Sequence, residues 1–529
     1  MASREKENVN TDISTPIRID GRTLEGGGQL VRNALALSAL TAIPVTIDHI
    51  RGNRKGKTGL KGSHTAAVKF LTEICGGEVV GAHVGSTQIT FFPRGRQTDE
   101  QNSNPPAAVE NIAINEPFIK PEYNIQQSTP GSIFLIFQAL YPYLIYAGAR
   151  THRHSPIRLN ITGGTNVSLS PSYDYIAQVL VPNFAKLGLP HLSVELHRRG
   201  WSTGPLDLGS VTFVVYPLGH SSKTDTTSTK HESHGVNPNE VGGNHPHVSE
   251  LSDSHGPKLH QSTPKFPYFN IRNYRRGTIT RIEVTILAPE ITPVEDMSNG
   301  RNRETVRRGT RSTETYTVRS FLQAETCRGL ADVLASMPQH LFPNGDNRVP
   351  IKIHTSEATG HPTRFYMLLV AHTSTGFRLG RDASLDSRAD SESTDARNRK
   401  RARSRDEQQG RSPRIKPYQD GMRSKIKRMI DRCVANFRDE LLHPAEGPDN
   451  GDNTSGTEIR GISKQKPCVD VFMRDQLVVF EALGKLQGAR EESTTLNDTN
   501  EAVEEDKDSW SMHTRTAMWI CEQILGVKV

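Results

Sequence analysis

Apolar positions in residues 17–93 follow two alternating periods, and this alternation predicts a compact unit of strands and helices. Apolar residues three and four apart predict a helix from Gln29 to Ala39. The same spacing predicts a second helix from His64 to Cys75, which Gly76-Gly77 ends. Short extended runs predict four strands: Ile17–Ile19, Val45–Ile47, Glu78–Val80 and Thr87–Phe92. The predicted order is therefore β-α-β-α-β-β.

The same order returns further along the chain. Helices are predicted over Ser132–Ala147 and Ser172–Leu187, and strands over Ile157–Ile161 and Leu192–Leu196. A third, damaged copy is predicted over Arg364–Leu483. Repeated units of this size determine the architecture, so we predict an α/β (α+β) fold with three β-α-β-α-β-β repeats in its large domain. One helix face of the third copy carries Ile426, Ile430, Cys433, Phe437 and Leu441.

Residues 199–363 follow a different pattern, which predicts a smaller inserted α/β domain. The predicted elements there are a helix over Thr317–Leu334 and strands over Val211–Tyr216, Arg281–Leu287 and Val349–His354. The predicted domains are residues 15–198 for repeats one and two, 199–363 for the insertion, and 364–529 for the third repeat and C-terminal segment. Segments rich in Ser, Thr, Asn, Gly, Asp or charge cannot bury enough apolar surface and are predicted to be disordered: 95–115, 219–264, 293–314, 383–422, 444–466 and 487–508.

Composition narrows the class of protein. No apolar run approaches the ~18 residues of a membrane span, and the N-terminus lacks the apolar segment of a secretory signal. The 5 cysteines form no CxxC pair, which favours reduced thiols in an intracellular protein. A net charge of +7 suits a polyanionic partner. Much of that charge lies in Arg397–Arg405, either a solvated linker or, as we favour, a nuclear import signal, which predicts a nuclear and also cytoplasmic location.

A glycine run enters the first predicted helix as Glu25-Gly26-Gly27-Gly28-Gln29. Glycines let a ligand approach the backbone, and a helix N-terminus attracts phosphate. Glu25 would then hold a divalent metal beside that phosphate. The alternative is a tight turn between strand and helix with no ligand.

The loop Ile50–His64 carries five cations, Arg51 and Arg54 among them. Part of it, Gly52–Thr58, resembles a Walker A loop but is one residue short between its glycines, so we discount a P-loop. A cluster of cations suits the phosphates of a nucleic-acid end. The alternative is a solvated charged loop.

Three other segments carry candidate chemistry, each with a structural alternative. The turn Gly163-Gly164-Thr165-Asn166 is either an anion site or a structural turn. Asp475-Gln476, with Phe472 before them, would bind a ribose or a base, or Asp475 would cap a helix. His513 stands at a predicted helix start, where the helix dipole favours the neutral, nucleophilic imidazole, although most such histidines are caps or surface residues.

Read together, these segments resemble the RNA 3′-terminal phosphate cyclase family. The resemblance covers Ile17–Pro93 almost continuously and resumes at Pro130–Pro142 and Gly163–Ile176. It ends with Cys468–Gly484 and Ser511–Leu525, and the first and last blocks are the most specific.

The resemblance implies a nucleotidyl-transferring ligase that uses ATP and a divalent metal, Mg²⁺ or Mn²⁺. It implies that His513 becomes adenylylated, that AMP passes to an RNA 3′-terminal phosphate, and that the adjacent 2′-hydroxyl closes a 2′,3′-cyclic phosphate. The expected partner is RNA with a 3′-terminal phosphate, and the disordered insertions would recruit protein partners. The family fold is likewise three repeats with a small inserted domain.

Site roles follow residue by residue from the same resemblance. It implies a metal role for Glu25. The positions implied to bind RNA phosphate are Arg32, Arg51, Arg54 and His64, and those implied to bind the nucleotide are Gln138, Pro171, Phe472, Asp475 and Gln476.

Several positions depart from the family pattern. Phe472 replaces a frequent tyrosine, which keeps a stacking ring but loses a hydroxyl, and Ser63 replaces a usual glutamine. The expected glycine-rich turn is altered at Pro205–Gly209, and an acidic segment, Glu491–Asp508, is added. The alternative function is that of a non-catalytic relative in ribosome biogenesis or pre-rRNA processing. Since that branch lacks the nucleophile, His513 favours the enzyme.

Overall fold

The computed structural model describes residues 15–54, 56–93, 119–151, 155–219, 264–291, 317–385, 418–442, 467–492 and 510–529. The described strands form three sheets of four strands each. The predicted α/β class with repeated four-stranded units is therefore confirmed.

The first sheet comes from one continuous stretch of chain, and its strand order is β1-β2-β4-β3. The pair β1 and β2 is parallel, and β4 is antiparallel to both of its neighbours. The helix α1 is buried almost all round, because other helices cover the sides that the sheet leaves open. The elements are β1 (Ile17–Asp20), α1 (Gly28–Thr41), β2 (Val45–Asp48), α2 (Gly62–Cys75), β3 (Glu78–Val80) and β4 (Ile89–Phe92).

The second sheet repeats this arrangement with the order β5-β6-β8-β7. The strand predicted at Val211–Tyr216 for the inserted domain is β8 of this sheet and pairs with β6 and β7, so that assignment was wrong. Its apolar pattern predicted a buried strand but carried no information on which sheet it joins. The elements are β5 (Glu122–Gln126), α3 (Ile133–Ala149), β6 (Ile157–Gly163), α4 (Tyr173–Tyr175), a π-helical turn (Ile176–Leu180), α5 (Val181–Lys186), β7 (Leu192–Arg198) and β8 (Gly209–Val215).

The third sheet has the order β10-β9-β11-β12 and joins strands from both sides of the boundary predicted at residue 363. One face packs on helices α6 and α7, and the other packs against the core shared with the first two sheets. The domain boundaries themselves stay a prediction. The elements are β9 (Ile279–Ala288), α6 (Val318–Ala335), β10 (Ile351–Ala358), β11 (Tyr366–Thr373), β12 (Arg378–Ser384) and α7 (Tyr418–Leu442), with 3₁₀ turns at Ile271–Asn273, Gln339–Leu341 and Pro343–Gly345.

Two C-terminal helices, α8 (Val471–Glu492) and α9 (Met512–Leu525), complete the main core. Helix α1 packs against α9, α2 and α3, and α9 packs against α8. Aromatic rings fill the space between α3 and the second sheet, where Phe137 and Phe213 stack with centroids 4.0 Å apart. Among the described helices, none is long and apolar enough to cross a membrane.

Most of the predicted disordered segments, together with Arg397–Arg405 and Lys55, lie outside the described residues. Two of these predictions extended too far. The segment 383–422 overlaps the end of β12 and the start of α7, and 487–508 overlaps the last turns of α8. In each case the residues are polar, but they continue a strand or helix whose neighbouring residues pack in the structure.

Candidate active site

Three helix N-termini meet at one place in the structure. Helix α1 begins at Gly28, α2 begins two residues before His64, and α9 begins one residue before His513. The His64 ring lies against Gly28, and His513 Nδ1 lies 2.9 Å from Gln29 Oε1 in the first turn of α1. The first turn of a helix leaves N–H groups without intrahelical partners and carries partial positive charge. Three such ends together favour the binding of a polyanion.

The glycine run is required by this meeting of helices. A Cβ on Gly28 would overlap the His64 ring and would lie 2.9 Å from Arg32 Nη1. Gly26 has a φ of +59°, which glycine adopts without strain. The run therefore permits close approach between side chains and backbone, and the approach of a ligand to it stays a prediction.

The His513 imidazole is held between two oxygen acceptors. Its Nδ1 lies 2.9 Å from Gln29 Oε1 and 3.0 Å from Glu25 Oε2. Burial lowers the pKa of His513, Asp475 acts in the opposite direction, and Arg54 lowers the pKa further. The side chain is 46% exposed, so one edge of the ring remains accessible. The arrangement presents a neutral, oriented imidazole to an incoming group.

Asp475 fixes the start of α9. Its Oδ1 accepts hydrogen bonds from Ser511 Oγ at 3.0 Å and from Thr514 Oγ1 at 2.5 Å. Burial raises the pKa of Asp475, and the Thr514 hydroxyl opposes that shift. Ser511 also caps the helix by accepting from the Thr514 backbone N–H at 3.0 Å. Asp475 thus sets the place of His513 from a second helix.

Gln29 connects His513 with Asp475, and no role was predicted for it from the sequence. Its Nε2 donates to the backbone carbonyl of Asp475 at 3.4 Å, which turns its Oε1 toward His513. The only signal in the sequence was its position directly after the glycine run. Nothing local indicated its contact with residues more than four hundred positions away.

Glu25 meets both the nucleophile candidate and a cation. Its carboxylate forms an ion pair with Arg54 and contacts His513, and its backbone N–H donates to Thr516 Oγ1 at 3.2 Å. Within the described residues, no group of three or more His, Cys, Asp or Glu side chains is placed to hold a metal ion. Mg²⁺ commonly takes one or two carboxylates and completes its shell with phosphates and water. Glu25 therefore fits a metal held jointly with a bound phosphate.

The predicted phosphate-binding residues lie together around the start of α1 and α2. Arg32 donates from Nε to Gln138 Oε1 at 2.7 Å, and burial lowers the pKa of Arg32 to about 10, so it stays charged near neutrality. Burial, together with Arg32 and Arg51, lowers the pKa of His64 to about 3. Arg51 donates from Nη1 to the carbonyl of Lys57 at 3.1 Å. The cluster therefore offers cations beside a neutral imidazole.

A cavity between α1, α3 and α8 gathers four of the five predicted nucleotide-binding residues: Gln138, Pro171, Asp475 and Gln476. Asn33 and Phe137 also line it. Phe472 does not line this cavity and lies one turn earlier on α8, with 45% of its surface exposed. The structure thus places these four residues around one small, mainly apolar cavity, and their nucleotide-binding roles stay predictions.

One comparison decides the family. The family model described as RNA 3′-terminal phosphate cyclase matches residues 23–529 of this chain. The chain belongs to the RNA 3′-terminal phosphate cyclase family. The resemblance drawn from its sequence blocks is confirmed.

Individual members of the cyclase family match a shorter part of the chain. The RNA 3′-terminal phosphate cyclase of Desulfurococcus amylolyticus is 38% identical over 184 residues, which are 35% of this chain and 43% of that protein. The protein of the same name from Methylococcus capsulatus is 34% identical over 202 residues, 38% of this chain and 49% of its own. That of Drosophila melanogaster is 34% identical over 205 residues, with the same two shares. The chain spans about half the length of these curated relatives.

Three other parts of the chain singled out in the sequence make structural contacts or are buried. In the turn that follows β6, Thr165 is fully buried and its N–H donates to the Gly200 carbonyl at 2.9 Å, which favours a structural turn over an anion site. The altered segment at Pro205–Gly209 is held by an ion pair of 2.7 Å between Arg364 and Asp207. Ser63 is buried in the first turn of α2.

Proposed function

We propose that this chain is an ATP-dependent RNA 3′-terminal phosphate cyclase with His513 as its nucleophile. The observation that carries the proposal is the His513 imidazole, placed where three helix N-termini meet and held by Gln29 and Glu25. Family membership supports a ligase that acts on an RNA 3′ end. The position of His513 in the first turn of α9 supports the transfer of AMP to its imidazole, a step that a protein which only binds RNA would not carry out.

The contacts of His513 define its reactive atom. Gln29 Oε1 and the Glu25 carboxylate both accept, so Nδ1 carries the hydrogen and Nε2 keeps its lone pair. Nε2 attacks the α-phosphorus of ATP, a P–N bond forms, and pyrophosphate leaves. The RNA 3′-phosphate then displaces His513 from the AMP group and forms an anhydride. The neighbouring 2′-hydroxyl attacks the RNA phosphate, loses its proton and expels AMP, which a bare phosphate monoester would not allow.

Each part of the site has a proposed partner. The cavity lined by Gln138, Asp475 and Gln476 would take the nucleoside, and the cations around Arg32 and Arg51 would take the RNA 3′-phosphate. A divalent metal would be held by Glu25 and the phosphates of ATP, where it would neutralise charge on the phosphate oxygens.

The presence of His513, with its oriented contacts, favours the catalytic branch of the family over a non-catalytic role in ribosome biogenesis. A nuclear location is part of the proposal and depends on Arg397–Arg405 alone. Protein partners at the insertions are proposed on composition only.

Covalent labelling tests the nucleophile. The protein is incubated with ATP labelled at the α-phosphate and with Mg²⁺ or Mn²⁺, and acid-labile label on the protein is measured. We expect His513→Ala to abolish labelling while its circular dichroism and melting temperature stay those of the parent. His354→Ala, which changes an exposed histidine on β10, is the matched control and should label normally. Covalent label on the His513→Ala variant would refute the assignment of the nucleophile.

A further inference from the structure

The Phe472 ring has one face occupied and one exposed. The Arg381 guanidinium carbon lies 4.7 Å from the ring centroid. The Tyr175 ring meets Phe472 edge-on, with centroids 6.3 Å apart and an interplanar angle of 86°. Nevertheless, 45% of Phe472 remains exposed, although large apolar side chains in this core are mostly covered. An aromatic ring supported from one side and open on the other is suited to stacking.

Arg381 is itself held in place from a different part of the fold. It lies on β12 of the third sheet and forms an ion pair with Glu440 of α7. The Arg381 side chain is 14% exposed and that of Glu440 is 3% exposed, so water screens the pair little. The planar guanidinium can face a carboxylate with its edge and an aromatic ring with its plane at the same time.

A buried carboxylate joins the backbones that carry the two stacked groups. Asp470 accepts hydrogen bonds from the N–H of Phe472 at 3.0 Å and from the N–H of Gly380 at 2.8 Å. Gly380 precedes Arg381 in β12, and Phe472 lies in the first turn of α8. The Tyr175 hydroxyl donates to the same carboxylate at 2.7 Å. The distance between β12 and α8 is therefore fixed where Arg381 meets Phe472.

We propose that Arg381 is a positioning residue for the purine base of the nucleotide and acts by holding the Phe472 ring. Arg381 does not contact the base. It presents the exposed face of Phe472 next to the cavity where Asp475 and Gln476 lie one turn further along α8. Phe472 has no hydroxyl that could hold its ring by a hydrogen bond, so the contacts with Arg381 and Tyr175 hold the ring in place. The inference rests on the proposed function, because it assumes a bound adenine nucleotide.

A double-mutant cycle separates this role from a structural one. The variants are Arg381→Met, Phe472→Leu and the pair together. All are made on a Glu440→Gln background, so that the Glu440 carboxylate is not left without its ion-pair partner when the arginine is removed. Binding of labelled ATP is measured by equilibrium dialysis. With Phe472 present, we expect Arg381→Met to weaken ATP binding about fivefold, the range of a partly desolvated cation–π contact. With Leu at position 472, the same change should have no further effect.

Two further readouts exclude general damage to the site. Binding of inorganic tripolyphosphate should not change in Arg381→Met, because stacking concerns the base alone. Arg381→Lys should restore part of the ATP affinity, since a cation over the ring is retained. Equal weakening of ATP and tripolyphosphate binding, or the same weakening of ATP binding in both Phe472 and Leu backgrounds, would overturn the inference. Dialysis needs no covalent step, so a parent protein that binds ATP but is never labelled would refute the proposed nucleophile and leave this inference standing.

Discussion

The first and third sheets pair their strands in the same directions, but the chain passes through the strands in a different order. In the first sheet the parallel edge strand β1 comes before its neighbour β2, whereas in the third sheet the corresponding edge strand β10 comes after β9. Both sheets then continue with two antiparallel strands. Alternating apolar positions thus specify the strands of a four-stranded sheet. The connections between the strands specify the order in which the chain passes through them.

We call the first sheet with α1 and α2 the first unit, and the third sheet with α6 and α7 the third unit. The two units contribute different elements to the candidate site. Helices α1 and α2 of the first unit direct their N-termini to the place where His513 lies. Helices α6 and α7 of the third unit pack on the far face of their sheet in a separate apolar core. The third unit contributes Arg381, whose guanidinium lies over the Phe472 ring and which we propose holds that ring for the nucleotide base. The proposed chemistry therefore lies at helix termini rather than at strand ends.

Replacing one glycine by alanine in each unit should give the largest difference in the rate of covalent labelling. Gly28 at the start of α1 has no room for a Cβ, because the His64 ring and Arg32 occupy that space. Gly28→Ala should reduce covalent labelling by roughly a hundredfold or more, as expected when positioning groups are displaced by about 1 Å. Initial labelling rates with α-labelled ATP measure the effect. A rate within about twofold of the parent would show that the crowding at Gly28 is unimportant.

The matched substitution in the third unit is Gly329→Ala. Gly329 lies inside α6, and a Cβ there would meet only Val434 at 3.8 Å, an ordinary contact. Since alanine favours the helix, Gly329→Ala should stabilise the protein by up to ~1 kcal/mol. Denaturant unfolding measures this change, and labelling should stay at the parental rate. A destabilised Gly329→Ala variant would remove the contrast between the two helices.

Removing cations from the first unit should affect cyclisation and its salt dependence, whereas removing cations from the third unit should not. The double variant Arg51→Ala, Arg54→Ala removes one charge beside His64 and one that pairs with Glu25, so cyclisation of a 3′-phosphorylated oligonucleotide should weaken. The salt dependence of kcat/KM should flatten by about one unit of logarithmic slope for each phosphate that the variant no longer neutralises. Rates across a series of salt concentrations test this. An unchanged slope would return the Ile50–His64 loop to the role of a solvated surface.

The control for that experiment removes the same charge from the third unit. Lys425 and Lys427 are exposed on α7, which packs on the far side of its sheet. Lys425→Ala with Lys427→Ala should leave both kcat/KM and its salt slope close to the parental values. If both double variants change the slope equally, the effect reports overall charge and not a phosphate site.

How far the sequence predicts this structure differs between the same two units. The predicted helix His64–Cys75 lies inside α2, Gly62–Cys75, because period and terminal glycines agree there. In the third unit, β9 and β11 pair in one sheet although α6 and β10 come between them in the chain, and no local pattern predicts that pairing. The candidate site has the same limit. His513 and Glu25 were predicted as separate motifs, whereas the role of Gln29 depends on contacts that only the folded chain creates.

The smallest effect on chemistry is expected from shortening the insertions. Residues 222–262 and 387–416 would be replaced together by short Gly/Ser linkers, with ends chosen to spare β12 and α7. Polar segments of this composition add little to a core, and surface loops of different length change closure entropy only slightly. We expect labelling and cyclisation within about twofold of the parent, since a doubling of loop length costs only ~0.6 kcal/mol.

The same deletion tests the predicted import signal, because it removes Arg397–Arg405. The shortened protein should remain active but lose nuclear accumulation when both forms are followed by fluorescence in cells. A second variant keeps residues 387–416 but has glutamine in place of the arginines and lysines of 397–405. It separates the effect of losing the charge from the effect of shortening the segment. It should also stay out of the nucleus. An active deletion that still enters the nucleus would leave that run as a charged linker, and a soluble but inactive one would mean that an insertion contributes to the site.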